Sequence, residues 1–127
     1  MKQSKQKMLS LTLVLLFLTF GLNGCSLFNL EPKAEFEINN WDQEYYESFD
    51  EYGLVEIDYR ITNTGPVDID YYEVWFEVCT KNDTIFQEWT NGVDIKKGED
   101  DRENIYISTD NKPAASVTIV DYELEKY

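Results

Sequence analysis

From residue 34 onward, apolar and polar residues alternate, the period of a strand with one face buried. Phe36 and Ile38 alternate with Glu35, Glu37 and Asn39. The clearest run places Val55, Ile57, Tyr59 and Ile61 between Glu56, Asp58, Arg60 and Thr62. Asn63-Thr64-Gly65-Pro66 supplies a turn, because Gly tolerates positive φ and Pro fixes its own. The third strand, about Ile69 to Thr80, is apolar at its even positions Tyr72, Val74, Phe76 and Val78. Lys81-Asn82-Asp83-Thr84 reads as a hairpin tip. A strand from Ile85 to Thr90 is expected to close at Asn91-Gly92, and Lys96-Lys97-Gly98 makes another turn. Ile105 and Ile107 mark a fifth strand. The last, about Ser116 to Glu125, has Val117 and Ile119 on one parity and Val120, Tyr122 and Leu124 on the other. A bulge, or burial of both faces, reconciles the two sets.

One segment departs from the pattern. Trp41, Tyr45, Phe49 and Tyr52 are spaced four, four and three apart, a helical stripe with acidic residues between. Tyr46 breaks the stripe and no clear cap brackets it, so an irregular or partly extended connection is expected rather than a helix. Short strands, turns every eight to twelve residues and no convincing long helix predict an all-β domain. The expected fold is an immunoglobulin-like β-sandwich of about six to seven antiparallel strands.

The first 25 residues have another composition. Lys2, Lys5 and Lys7 precede an apolar run from Met8 to Phe20, the basic and hydrophobic regions of a signal peptide. The run is shorter than the ~20 residues a spanning helix needs. It closes on Leu22-Asn23-Gly24-Cys25, which resembles the lipobox of bacterial and some archaeal lipoproteins. The resemblance implies that the Cys25 thiol takes a diacylglyceryl group and that a peptidase cuts before it. The expected organisation is a signal peptide over 1–24, a lipid-anchored tether over 25–33 and the β domain over 34–127. The product would be exported and held by lipid on Cys25 at the cell membrane or outer membrane, facing outside the cytoplasm.

The run Arg60-Ile61-Thr62-Asn63-Thr64-Gly65-Pro66-Val67-Asp68-Ile69-Asp70-Tyr71-Tyr72 resembles the V-x-N-T-G strand-turn-strand of small Ig-like domains in prokaryotic surface lipoproteins. It is similar to domains of the FxLYD kind, although the F-x-L-Y-D string itself is absent. Trp89-Thr90-Asn91-Gly92 and the Gly98 turn fit the same pattern. The resemblance covers roughly residues 34 to 125, and that family carries no catalytic residues to transfer.

Charge narrows the function. The whole chain has 11 basic and 25 acidic residues, a formal charge of −14. Removing three lysines with the leader leaves 8 basic residues and a charge of −17. Such a surface repels nucleic-acid phosphate, so no nucleic-acid partner is expected. Histidine is absent, so Cys79 lacks the usual activating base and the commonest transition-metal ligand is missing. Cys79 is expected to act as a small hydrophobe without an intrachain disulfide. Asp68, Asp70 and Glu99-Asp100-Asp101 offer hard oxygen ligands near turns but miss the calcium-loop spacing. Neither an enzyme, a metal site nor a cofactor is expected. Asn82-Asp83-Thr84 fits the N-x-T glycan acceptor pattern, yet Asn and Asp also suit a hairpin tip.

The sharper candidate is aromatic recognition. Odd positions of the third strand, Glu73, Trp75, Glu77 and Cys79, face away from its core face, and Tyr106 could join from a neighbouring strand. Alternatively, the Trp41–Tyr52 segment could cover Trp75. The expected role is a non-enzymatic surface lipoprotein acting as an interaction or envelope-structural module. The competing role is a carbohydrate- or small-ligand-binding module. A protein or glycan partner meeting Glu73, Trp75 and Glu77 should be neutral or cationic.

Overall fold

The computed structural model describes residues 30–127. The expected signal peptide, the lipobox-like run and Cys25 lie outside the described residues, as does most of the expected tether. Six strands follow: β1 (Ala34–Tyr46), β2 (Glu51–Asn63), β3 (Ile69–Thr80), β4 (Ile85–Ile95), β5 (Asp100–Ile107) and β6 (Ala114–Glu125). All pairings are antiparallel. One sheet has the order β1-β2-β5 and the other β4-β3-β6. This is an all-β fold of the expected class. The two orders match strands A-B-E and C′-C-F of the immunoglobulin arrangement.

The alternating residues of β2 and β3 make the core. Val55, Ile57 and Ile61 from one sheet and Tyr72, Val74, Phe76 and Val78 from the other are completely buried. Burying such a side chain is worth about 1.5–3 kcal/mol. The sheets meet through it: the Tyr59 and Phe76 ring centroids are 5.2 Å apart, and the Tyr59 and Tyr72 hydroxyls 3.0 Å. At the turn after β2, the Asn63 side chain donates to the carbonyls of Val67 and Ile95 and accepts the Gly65 N–H.

The segment expected to be an irregular or partly extended connection is extended on both sides of a turn and forms a hairpin. β1 runs through Trp41 to Tyr46, the chain turns over Glu47–Asp50, and β2 begins at Glu51. Trp41 lies opposite Ile57 and packs against the core, whereas Phe49 is 73% exposed at the tip. Cross-strand pairing satisfies the backbone and brings the Tyr45 and Tyr52 rings to 4.8 Å. Asp50 takes the left-handed φ of 50° that the turn requires, and its carboxylate accepts the Tyr45 hydroxyl.

Two further boundaries differ from expectation or resolve it. β4 does not close at Asn91-Gly92 but continues to Ile95. Gly92 sits beneath the Tyr72 ring, where an added Cβ would lie 2.6 Å from the Tyr72 hydroxyl oxygen. In β6 the two parities are joined by a bulge. Phe76 pairs with Ile119 and Trp75 with Asp121, so Val120 is the extra residue. Val117, Ile119, Tyr122 and Leu124 consequently share the core-facing side.

Candidate functional site

The outer face of the β4-β3-β6 sheet carries the candidate residues. Residues directly opposite in an antiparallel pair project to the same side, so the pairings give this face row by row. Tyr71 lies between Val93 and Glu125, and Glu73 between Asn91 and Glu123. Trp75 lies between Trp89 and Asp121, and Glu77 between Gln87 and Thr118. The Trp75 and Trp89 rings stack with centroids 6.0 Å apart and planes 29° apart. Trp75 is half-buried, while Trp89 is 46% exposed.

Polar groups hold the surroundings of the pair in place. The Tyr71 hydroxyl donates to Glu73 at 2.7 Å and lies 3.3 Å from the Asn91 amide nitrogen. That bond to Glu73 raises the Tyr71 pKa above its ordinary value, since ionised Tyr71 would face a carboxylate. Gln87 donates to Glu77 at 2.8 Å. The outcome is two indoles on a flat face bordered by Glu73, Glu77, Asp121 and Glu123. Such a face can stack on a planar or cationic group and accept hydrogen bonds from it.

Glu73, Trp75 and Glu77 therefore share one face, as their alternation requires. Tyr106 does not join them. It lies on β5, in the other sheet, where its hydroxyl donates to Glu56 at 2.6 Å and Glu56 raises its pKa. There it lines a shallow depression of 280 Å³ with Asp42, Glu44, Tyr46, Leu54 and Glu56. Alternation gives the parity of Tyr106 but not the sheet to which β5 belongs. Nor does the Trp41–Tyr52 segment cover Trp75, because it forms β1 and the start of β2 in the opposite sheet. Trp89 is the residue that sequence reasoning missed. Its signal was symmetry about the hairpin tip, since Trp75 and Trp89 each lie seven residues from Asn82.

Asp68 and Asp70 have internal partners. Asp68 accepts the Lys97 N–H and lies 3.8 Å from the Lys96 ammonium. Asp70 accepts the Tyr127 N–H at 2.6 Å, which lowers its pKa. Among the described residues, no group of three or more His, Cys, Asp or Glu is placed to hold a metal ion. Cys79 is half-buried on the outer face between Ile85 and Ser116 and is a free thiol. Compared with family models, curated proteins and solved structures, the chain matches none of them.

Proposed function

We propose that this chain is an exported, lipid-anchored, non-enzymatic interaction module that recognises a basic segment of another protein through the outer face of the β4-β3-β6 sheet. One observation carries the reading: the Trp75–Trp89 stack stands inside a border of carboxylates, on a face that no strand among the described residues covers. Indoles attract guanidinium and ammonium groups over their ring faces, and the carboxylates add charge-assisted hydrogen bonds. A net charge of −14 repels acidic partners and steers cationic ones. The basic leader, the apolar run and Leu22-Asn23-Gly24-Cys25 support lipid anchoring on the outer side of a membrane.

A glycan-binding role is favoured by one feature. The exposed Trp89 ring lies near Gln87 and Asn91, whose amides can exchange hydrogen bonds with sugar hydroxyls. Screening the purified protein on arrays of basic, neutral and acidic peptides and of oligosaccharides separates the two. The expected result is retention on basic peptides, weakened by salt and reduced about tenfold by either Trp75→Ala or Trp89→Ala in a folded variant. Retention on oligosaccharides alone replaces the first reading by the second. Binding unaffected by both tryptophan changes removes this face from the function.

A further inference from the structure

The two long sides of the fold, where an edge strand of one sheet faces an edge strand of the other, are finished differently. On the β4/β5 side, the residues opposite the core positions of β2 and β3 are largely polar or small. They are Glu88, Thr90 and Gly92 on β4 and Asp101 and Glu103 on β5, with Phe86, Ile95, Ile105 and Ile107 as the apolar exceptions. Burial and the neighbouring Asp101 raise the Glu103 pKa, as suits a carboxylate at a partly desolvated rim. On the β1/β6 side, the corresponding residues are apolar apart from Gln43. Phe36, Ile38 and Trp41 on β1 face Ile119, Tyr122 and Leu124 on β6, and all six stay partly exposed. The Phe36 and Tyr122 centroids are 4.9 Å apart.

β6 is also an edge. Its inner side pairs with β3, and among the described residues no strand pairs with its outer side. In the immunoglobulin arrangement, the sheet holding the third and sixth strands also holds a seventh, next to the sixth. The outer edge of β6 is the corresponding place. After the Val120 bulge, Tyr122 and Leu124 point inward and Asp121, Glu123 and Glu125 point outward.

We infer that the outer edge of β6, over Asp121–Glu125, accepts an extended segment of another polypeptide as an added strand whose alternate residues are apolar and basic. The added backbone would pair with the open edge, the mode of β-strand addition. Its inward side chains would rest on Phe36, Tyr122 and Leu124. Its outward side chains would stand beside Asp121, Glu123 and Glu125, about 4.5–5.5 Å away across the pair. The three carboxylates select against a second copy, whose β6 would bring the same charges opposite its own. The site shares Asp121 and Glu123 with the border of the tryptophan face but does not include the indoles, which stand on β3 and β4.

Hydrogen exchange of the purified protein tests this, using an acetylated peptide of alternating Lys and Val and a control of alternating Glu and Val. The Lys-Val peptide should slow exchange over Asp121–Glu125 about tenfold, and the Glu-Val peptide should not. The exposed double change Asp121→Lys with Glu123→Lys should reverse that preference, whereas Trp75→Ala should leave it intact. No slowing by the Lys-Val peptide, or equal slowing by both peptides, overturns the proposal. So does slowing that rises with protein concentration alone, which would make a second copy the occupant. Loss of the effect in a folded Trp75→Ala protein would place the peptide on the tryptophan face instead.

Discussion

The hydroxyls of Tyr59 and Tyr72 meet 3.0 Å apart inside the core, one from each sheet. Removing either oxygen strands the other. Tyr59→Phe leaves the Tyr72 hydroxyl buried without its partner and should cost about 1–3 kcal/mol. Tyr72→Phe should cost a similar amount, since it strands the Tyr59 hydroxyl in turn. The double Phe variant should be more stable than the sum of the single losses implies, which urea titrations of all four proteins will show.

The same pair sets a dependence on alkaline pH. Burial, above all, pushes the pKa of both tyrosines above the ordinary 10.0, so the folded state holds protons that the unfolded state releases. This contribution is fully present below pH 10.0 and is lost as pH rises beyond it. The urea midpoint should fall above about pH 10, and Tyr59→Phe with Tyr72→Phe should flatten the fall. An equally steep fall in the double variant would assign the effect to the exposed tyrosines.

Gly92 should resist replacement although its φ is ordinary. Its Cβ would meet the Tyr72 ring edge and hydroxyl rather than a flexible side-chain end. Gly92→Ala should cost about 1–3 kcal/mol by overpacking. The loss should shrink in a Tyr72→Ala background, where the clash is gone, as a double-mutant cycle in urea would reveal.

Gln43 fastens β1 to the loop before β6. Its Nε2 lies 3.0–3.1 Å from the Gly53 carbonyl, the Thr109 hydroxyl and the Lys112 carbonyl, and its Oε1 accepts the Ala114 N–H at 2.8 Å. Gln43→Leu keeps most of the volume but breaks these bonds. It should cost about 2–3 kcal/mol and speed hydrogen exchange at Ala114 before that of the β3 core amides.

Large aromatic or apolar residues on the two faces of β3 and β4 should behave oppositely. Phe76→Ala, at a completely buried position, should cost about 3–5 kcal/mol in urea titrations. Trp89→Ala, on the open face, should cost under about 1 kcal/mol there. A loss as large as that of Phe76→Ala would make the tryptophan pair structural and remove the reason for reading it as a contact surface.

The face of β3 was legible because nothing interrupts its alternation from Tyr72 to Val78. The β1 hairpin was not, because two irregularities fall in its register. Ile38 and Asn40 flank an extra residue, so inward positions change from even, at Phe36 and Ile38, to odd, at Trp41 and Gln43. A second irregularity follows between Gln43 and Tyr45. Aromatics placed on opposite sides of a turn then imitate helical spacing. The site was half legible for a related reason. Period two assigns Glu73, Trp75 and Glu77 to one face, but which strand lies beside β3 is a long-range fact. That fact adds Trp89 and removes Tyr106.

The extra residue at Val120 means that the last strand carries one residue more than its ladder with β3 uses. Because Phe76 pairs with Ile119 and Trp75 with Asp121, one residue is absorbed without advancing the ladder. Deleting it in frame would leave those pairings intact and restore one unbroken alternation, with Ile119, Tyr122 and Leu124 still inward and Asp121, Glu123 and Glu125 still outward. Single-codon deletions across β6 should therefore be better tolerated at 120 than between Tyr122 and Leu124, with the remaining loss at 120 set by the valine side chain, which is 7% exposed.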